Sequence, residues 1–181
     1  MQNTLKFNIE DVETEFGIKI NKNSKCLGLD TASKTGYCIA TAKDKYLTLE
    51  LGYFNVDVSK IKQKTLKRRI LAEHIYENLR KLLVGQLYNV VVIEDVFHGI
   101  NAHTTILLAR IGGIAYALSR HHNTKDIMWR TASEARKALG LKGNGKKKEI
   151  MEAVNGRLGT SIKNDNVVDA IILALNGLKE E

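Results

Sequence analysis

Two short apolar runs that each lead into an acidic residue constrain the fold of this chain more than any other feature. The first, KCLGLD, covers residues 25–30 and ends in Asp30; the second, NVVVIED, covers residues 89–95 and contains Glu94. The second run is too short for a helix, and it is apolar and β-branched enough for a central strand covered on both faces. Because strands of one sheet end near one another, the two carboxylates can converge if these strands are neighbours.

The rest of the chain alternates strand-like runs with helical periodicity. Residues 25–54 are interpreted as three antiparallel strands joined by short turns. Later segments predict a helix over 59–84, a helix over 101–120, a strand over 126–130, a helix capped by Ser133 that ends at Leu139, and helices near 148–156 and 165–178. This order predicts an α/β fold with a mixed five-stranded sheet, three strands antiparallel and two parallel, flanked by helices.

The first 24 residues are interpreted as an N-terminal extension, and residues 25–181 as one domain. Within the extension, Asn8 is a typical helix cap and Gly17 a typical helix end. A helix between them would place three apolar side chains on one face: Ile9, Val12 and Phe16. A chain of 181 residues is long enough to bury a core without metals or disulfides.

Charge and cysteine usage limit the class of protein further. The formal net charge of +8 fits a polyanionic partner such as nucleic acid, although solubility alone can explain it. Cys26 and Cys38 lack zinc-site or disulfide-framework spacing, so buried free thiols are expected. No export signal or membrane-spanning run is found, which favours a cytoplasmic protein of a bacterial or phage-infected cell that does not associate with membranes.

A third acidic site is predicted at the start of the last helix, where Asp165 and Asp169 lie one turn apart on one face. Carboxylates that gather with Asp30 and Glu94 would repel each other unless a cation lies among them. Ligation by carboxylates alone selects Mg²⁺ or Mn²⁺, and two such ions support in-line phosphodiester hydrolysis. Each acid also has a structural interpretation, as the start of a turn, a helix cap or a solvated strand end.

Four segments carry a resemblance to a known family: LGLDTASKTGYCIA, VVIEDVFHGINAHTTILLARIGG, WRTASEARKALGLKGNGKKKEIMEAV and NDNVVDAIILAL. Taken in order, over residues 25–178, they resemble the RuvC group of Holliday junction resolvases in the RNase H-like superfamily. The resemblance implies a crossover junction endodeoxyribonuclease active in DNA recombination and repair. It would resolve four-way junctions by two-metal-ion hydrolysis and leave 5′-phosphate and 3′-hydroxyl ends.

The resemblance also implies the residues of the active site. Asp30, Glu94 and Asp169 are similar to three of the family's four metal-binding carboxylates, which hold two Mg²⁺ ions that Mn²⁺ can replace. The fourth is open, because Asn166 stands where many relatives have Asp or His, and Asp165 precedes it. Asp165 is preferred as a catalytic metal ligand because a carboxylate binds Mg²⁺ more strongly than an amide, with Asn166 as the alternative.

Contacts with DNA are predicted in two places. Phe97, three residues after Glu94, is similar to an aromatic residue that stacks on a base at the junction crossover; the alternative is a loop anchor. The loop LKGNGKKK offers cations to phosphates: Lys142, Lys146, Lys147 and Lys148. A second basic group begins the helix over 59–84, and a solvated face is at least as good an interpretation for it: Lys60, Lys62, Lys64, Lys67, Arg68 and Arg69.

A homodimer follows if two active sites must meet two strands of one junction. Its interface would use part of the helix over 101–120, including Ile106, Leu107, Ile111, Ile114 and Leu118, of which at least half are expected to be core. Two other functions fit the same residues: an RNase H-fold nuclease acting on flap DNA or RNA/DNA hybrid, and a junction-binding protein that does not cut.

Overall fold

The sheet contains the predicted antiparallel meander and is extended by further strands at both of its edges. A computed structural model describes residues 3–32, 34–96, 102–122 and 124–180, with only the backbone of Ala102 and His103. Its strands are β1 Asn3–Asn8, β2 Ser24–Asp30, β3 Gly36–Lys43, β4 Tyr46–Tyr53, β5 Val90–Glu94 and β6 Asp126–Arg130. Their order in the sheet is β1-β4-β3-β2-β5-β6, in which β1 to β4 pair antiparallel and β5 and β6 continue parallel to β2.

Helices cover both faces of this sheet. They are α1 Ile9–Phe16, α2 Lys64–Leu83, α3 Ala102–His121, α4 Ala132–Ala138, α5 Lys147–Leu158 and α6 Asp165–Leu178. One buried cluster joins α1, α4, α5 and α6 to one face, and a second joins α2 and α3 to the other. The predicted α/β class and the antiparallel meander are therefore confirmed. Within the described residues, none of the helices combines the length and the apolar character that crossing a bilayer requires.

The predicted number of strands is wrong by one. The described residues form six strands because Asn3–Asn8 pairs with β4, from Asn3 opposite Leu51 to Asn8 opposite Tyr46. Leu5 and Phe7 alternate with exposed neighbours and pack against the core. The short helix after this strand is confirmed, with the Asn8 side chain accepting from Glu10 and Gly17 in the left-handed conformation. The domain boundary placed at residue 24 stays a prediction.

Two local predictions need adjustment, and a third is confirmed. The first long helix begins at Lys64 rather than near residue 59. Thr131, not Ser133, caps α4, because its hydroxyl accepts from the Glu134 amide while the Glu134 carboxylate accepts from the Thr131 amide. The two cysteines are buried free thiols, as predicted, and burial raises the pKa of each.

Candidate active site

The face of the sheet that α6 covers also carries the strand-end acids. Side chains alternate along β2, so that Cys26 packs in the cluster that contains α6 while Leu27 and Leu29 pack on the opposite face. By the same alternation, Gly28 and Asp30 face the same side of the sheet as Cys26. In β5, Val92 faces α6 while Val91 and Ile93 face away, which gives Glu94 the same side.

Two glycines let α6 lie directly on the strands. A Cβ atom at Gly28 would come within 2.3 Å of the carbonyl oxygen of Ala170, and one at Gly36 within 2.1 Å of the carbonyl oxygen of Asn166. Neither position tolerates a side chain, since the obstructing atoms are backbone. This close approach brings the first two turns of α6 over the end of β2, where Asp30 lies.

Asp30 and Glu94 form the centre of the site. Asp30 is only 5% exposed, and the Thr31 hydroxyl donates to the Glu94 carbonyl oxygen at 3.2 Å, which ties the two strand ends together. Burial, a hydrogen bond with Glu94, and the charges of Glu94 and Asp169 raise the pKa of Asp30 to about 10. Asp30 therefore interacts with two other predicted acids, Glu94 and Asp169, and it holds its proton more strongly than an ordinary carboxyl group does.

Asp169 is held by a residue that the sequence did not single out. Arg136, on α4, donates from Nη2 to Asp169 Oδ1 at 2.9 Å, and the two side chains are 11% and 13% exposed. The Nε atom of Arg136 is buried and, among the described residues, has no hydrogen-bond partner. Arg136 lies within the segment that resembles the family, but a helical arginine 33 residues from its partner gives no local signal.

Asp165 is bound by a lysine of the basic loop. Lys147 Nζ lies 2.5 Å from Asp165 Oδ2, and this hydrogen bond lowers the pKa of Asp165 and raises that of Lys147. The negative charges of Asp169 and Asp30 raise the pKa of Lys147 further. Lys147 therefore faces the acids, whereas the sequence predicted it only as a loop cation.

Asn166 occupies a different position from Asp165. Its Nδ2 atom donates to the carbonyl oxygen of Lys34 at 2.7 Å, in the loop that follows Asp30. Asn164 caps the helix, its Oδ1 accepting from the amides of Asn166 and Val167. Asp165 and Asn166 thus both lie at the start of α6 but make different contacts, and the predicted fourth ligand, Asp165 with Asn166 as the alternative, stays a prediction.

The other predicted DNA contacts are exposed lysines before and in the first turn of α5, or lie outside the described residues. Lys146 precedes α5, with its amide donating to Glu149 Oε2 at 3.2 Å. The side chains of Lys142 and Lys148 are exposed, 4.0 Å from Glu149 and 3.8 Å from Glu152 respectively. Phe97, and with it the predicted stacking contact, lies outside the described residues.

The arrangement does not yet form a complete metal cage. Across residues 3–32, 34–96, 102–122 and 124–180, no group of three or more His, Cys, Asp or Glu side chains is arranged to hold a metal ion. Two of the acids are turned toward cations, Asp169 to Arg136 and Asp165 to Lys147. A divalent ion would therefore have to compete with these two ion pairs.

Comparison with known proteins identifies the family of the chain. The family described as "Crossover junction endodeoxyribonuclease RuvC" matches residues 26–176. The chain belongs to the RuvC family. The match begins in β2 and ends in α6, so it contains all four predicted acids, and it confirms the resemblance of the four sequence segments.

Relatives in the RuvC family match over most of their length. The chain is 32% identical over 158 residues to a crossover junction endodeoxyribonuclease RuvC of Campylobacter jejuni, covering 84% of this chain and 93% of the relative. It is 29% identical over 155 residues to the protein of the same name from Helicobacter pylori, covering 83% and 94%. These are enzymes of the class that the resemblance implied.

A solved structure supports the fold independently. Thermus thermophilus RuvC in complex with a Holliday junction substrate matches with a TM-score of 0.65 over 84% of this chain and 90% of that chain. At 14% sequence identity this likeness concerns the fold, and it confirms the RNase H-like class of a mixed sheet between helices. None of these matches assigns roles to individual residues, so the predicted site residues remain predictions.

Proposed function

We propose that this RuvC-family chain is a Mg²⁺-dependent endonuclease that resolves four-way DNA junctions. It would hydrolyse one phosphodiester in each of two strands and leave 5′-phosphate and 3′-hydroxyl ends. The observation that carries the proposal is the cluster at the ends of β2 and β5. There a buried Asp30 interacts with Glu94 and with Asp169 of α6, three acids brought together from segments far apart along the chain.

The donor set fits hard divalent cations. Asp30, Glu94, Asp165 and Asp169 offer only carboxylate oxygens, which Mg²⁺ and Mn²⁺ prefer. Burial raises the pKa of Asp30, and so do the nearby charges of Glu94 and Asp169, whose repulsion a cation would relieve. We propose these four as the ligands of two ions, with Asn166 as the alternative to Asp165. When bound, such ions lower the pKa of an attacking water and stabilise the leaving oxygen.

The chain's own residues have separate tasks in this proposal. Asp30 must lose its proton to bind a cation, and its burial keeps water from competing for the site. Arg136 fixes one oxygen of Asp169, which orients the carboxylate. Lys147, at the entrance beside Asp165, places a positive charge where the scissile phosphate would approach. Lys142, Lys146 and Lys148 would hold flanking phosphates without reading bases.

A homodimer through α3 is part of the proposal. Ile111 and Leu118 are buried core, and Leu107 and Ile114 pack against it, whereas Ile106 is 46% exposed and Tyr116 44% exposed. Gly113, between these two exposed residues, has open space where a Cβ atom would lie. An exposed helical face with apolar residues and a glycine suits close contact with the same helix of a second copy.

The experiment compares binding and cutting of a synthetic four-way junction by three variants. Asp30→Asn and Glu94→Gln should bind the junction as tightly as the wild type and lose Mg²⁺-dependent nicking. Asp126→Asn is the matched control and should cut normally. It replaces an exposed acid at the start of β6, at the end of the sheet away from Glu94. Full cleavage by the first two variants would refute the site.

The same assay separates the alternatives. Flap DNA and RNA/DNA hybrid, offered beside the junction, test whether the acids serve a different substrate. A junction-binding protein that does not cut is a second candidate, because ion pairs to Arg136 and Lys147 engage two of the four acids. That candidate predicts tight junction binding and no nicking at any Mg²⁺ or Mn²⁺ concentration.

A further inference from the structure

A cationic groove lies on the side of the sheet opposite α6. It encloses about 580 Å³ between the segment 55–59, the first two turns of α2, and α3. Four cationic residues from two separate parts of the chain line it: Lys34, Lys64, Lys67 and Arg68. Its lining also includes apolar side chains such as Leu71 and Leu107, so the cations surround a defined depression rather than an open face.

The positive charge of this groove is only partly neutralised. Asp57 is the one acidic residue among the described residues that line it, and its Oδ1 accepts from the amide of Ser59 at 2.9 Å. Three lining cations come from α2, whose first turn contains no acidic residue, although the N-terminal end of a helix normally favours carboxylates. The three lysines of the lining, Lys34, Lys64 and Lys67, already outnumber Asp57, which leaves an excess of positive charge that an anionic partner would match.

The groove is joined to the candidate active site through two loops. Lys34 follows Asp30 by four residues, and its carbonyl oxygen accepts from Asn166 at the start of α6. The carbonyl oxygen of Thr35 accepts from the amide of Phe54 at 2.8 Å, which fixes the loop after β2 against the chain leaving β4. The groove therefore starts where the strand that carries Asp30 ends.

We infer that this groove receives the sugar–phosphate backbone of a duplex arm of branched DNA, adjacent to the strand that enters the acid cluster. The inference rests on the proposed function and names a part of the substrate that the acids themselves do not touch. A backbone supplies closely spaced negative charges, which match lysines spread along a groove, and such contacts set register without reading sequence.

The test measures how the affinity for a four-way junction, and for a plain duplex, depends on salt concentration. The variant Lys64→Gln/Lys67→Gln should reduce the slope of log affinity against log salt by about 1.8, since each lost phosphate contact removes about 0.9. The matched control, Lys81→Gln/Lys125→Gln, removes the same charge from the last turn of α2 and from the segment before β6, at the opposite end of the sheet. The control should keep the wild-type slope.

The outcomes distinguish the groove from the active site. If the wild type cuts the junction and the groove variant, the control and the wild type have equal salt slopes, the groove does not bind DNA. The proposed function would then stand. Equal reductions in both double variants would also overturn the groove, because the effect would follow net charge alone. A wild-type protein that binds neither DNA would overturn both inferences. A reduced slope in the groove variant alone, on either DNA, supports the groove whether or not the protein cuts.

Discussion

Arg136 Nη2 donates to Asp169 Oδ1 at 2.9 Å, with both side chains largely buried. The pair joins α4 to α6 at the point where α6 lies over the end of β2. It neutralises one acid of the cluster in the absence of metal, while Lys147 does the same for Asp165. Two cations of the chain thus offset part of the negative charge of the clustered acids.

Removing Arg136 should therefore destabilise the metal-free protein. Arg136→Ala leaves Asp169 buried without its partner, which costs about 3 kcal/mol of unfolding free energy. Added Mg²⁺ should restore part of this loss by binding the freed carboxylate. Urea unfolding with and without Mg²⁺ measures both effects, and the exposed neighbour Lys137→Ala is the control. A loss no larger than that of the control would contradict the prediction.

The raised pKa of Asp30 predicts a particular pH dependence of stability. Between its ordinary value of 3.8 and the folded value of about 10, the folded state keeps a proton that the unfolded state releases, so this group makes folding less favourable as pH rises. Asp30→Asn resembles the protonated acid and lacks this loss. In EDTA the free energy of unfolding of the variant, relative to that of the wild type, should rise with pH by up to about 1.4 kcal/mol per pH unit. Urea unfolding at pH 5 and pH 8 tests this, and a constant difference would contradict it.

The fourth ligand can be identified by a pair of substitutions. If Asp165 binds the metal, Asp165→Asn should raise the Mg²⁺ concentration needed for half-maximal junction cutting, because an amide is a weaker ligand. Asn166→Asp should then change that concentration little. In the reverse pattern, Asn166→Asp cuts faster than the wild type and Asp165→Asn cuts as fast as the wild type. That result would assign the ligand to position 166.

The lysines of the basic loop should separate into two groups. Lys147→Gln is expected to slow cutting about 100-fold with little loss of junction affinity, because this side chain faces the acids. Lys146→Gln and Lys148→Gln should each lower the salt slope of binding by about 0.9 and leave single-turnover cutting at saturation unchanged. Rate and affinity measured separately on the same junction check this; equal behaviour of the three variants would contradict it.

The dimer predicted on α3 can be disrupted at a glycine. Gly113→Arg should convert a dimer to monomers without unfolding the chain, since no atom lies within 4 Å of the added Cβ position. Gly156→Arg, at an equally open helical glycine of α5, is the matched control. Sedimentation velocity reports the oligomeric state, and a wild-type monomer or an unaffected Gly113→Arg dimer would refute this interface.

The local chemistry of the sequence was sufficient to predict most of the helices and strands. Asn8 and Gly17 delimit α1, and the apolar run before Glu94 forms a buried parallel strand. These features depend on side-chain alternation and on caps only a few residues from the backbone groups they satisfy. The two adjacent glycines of α3 look alike in the sequence but differ in the structure: a Cβ atom at Gly112 would come within 3.0 Å of the Trp129 ring, whereas Gly113 has open space.

What the sequence by itself determined was which residues end the strands and begin the last helix, and thus which carboxylates stand ready to meet. Only the tertiary structure decided that Arg136 and Lys147 hold two of them, that residues 3–8 add a sixth strand, and that Lys34 joins a groove with α2. The physical reason is the distance along the chain over which each kind of interaction acts. Alternation and capping act between neighbours along the chain, whereas an ion pair across 33 residues exists only once α4 and α6 have packed together.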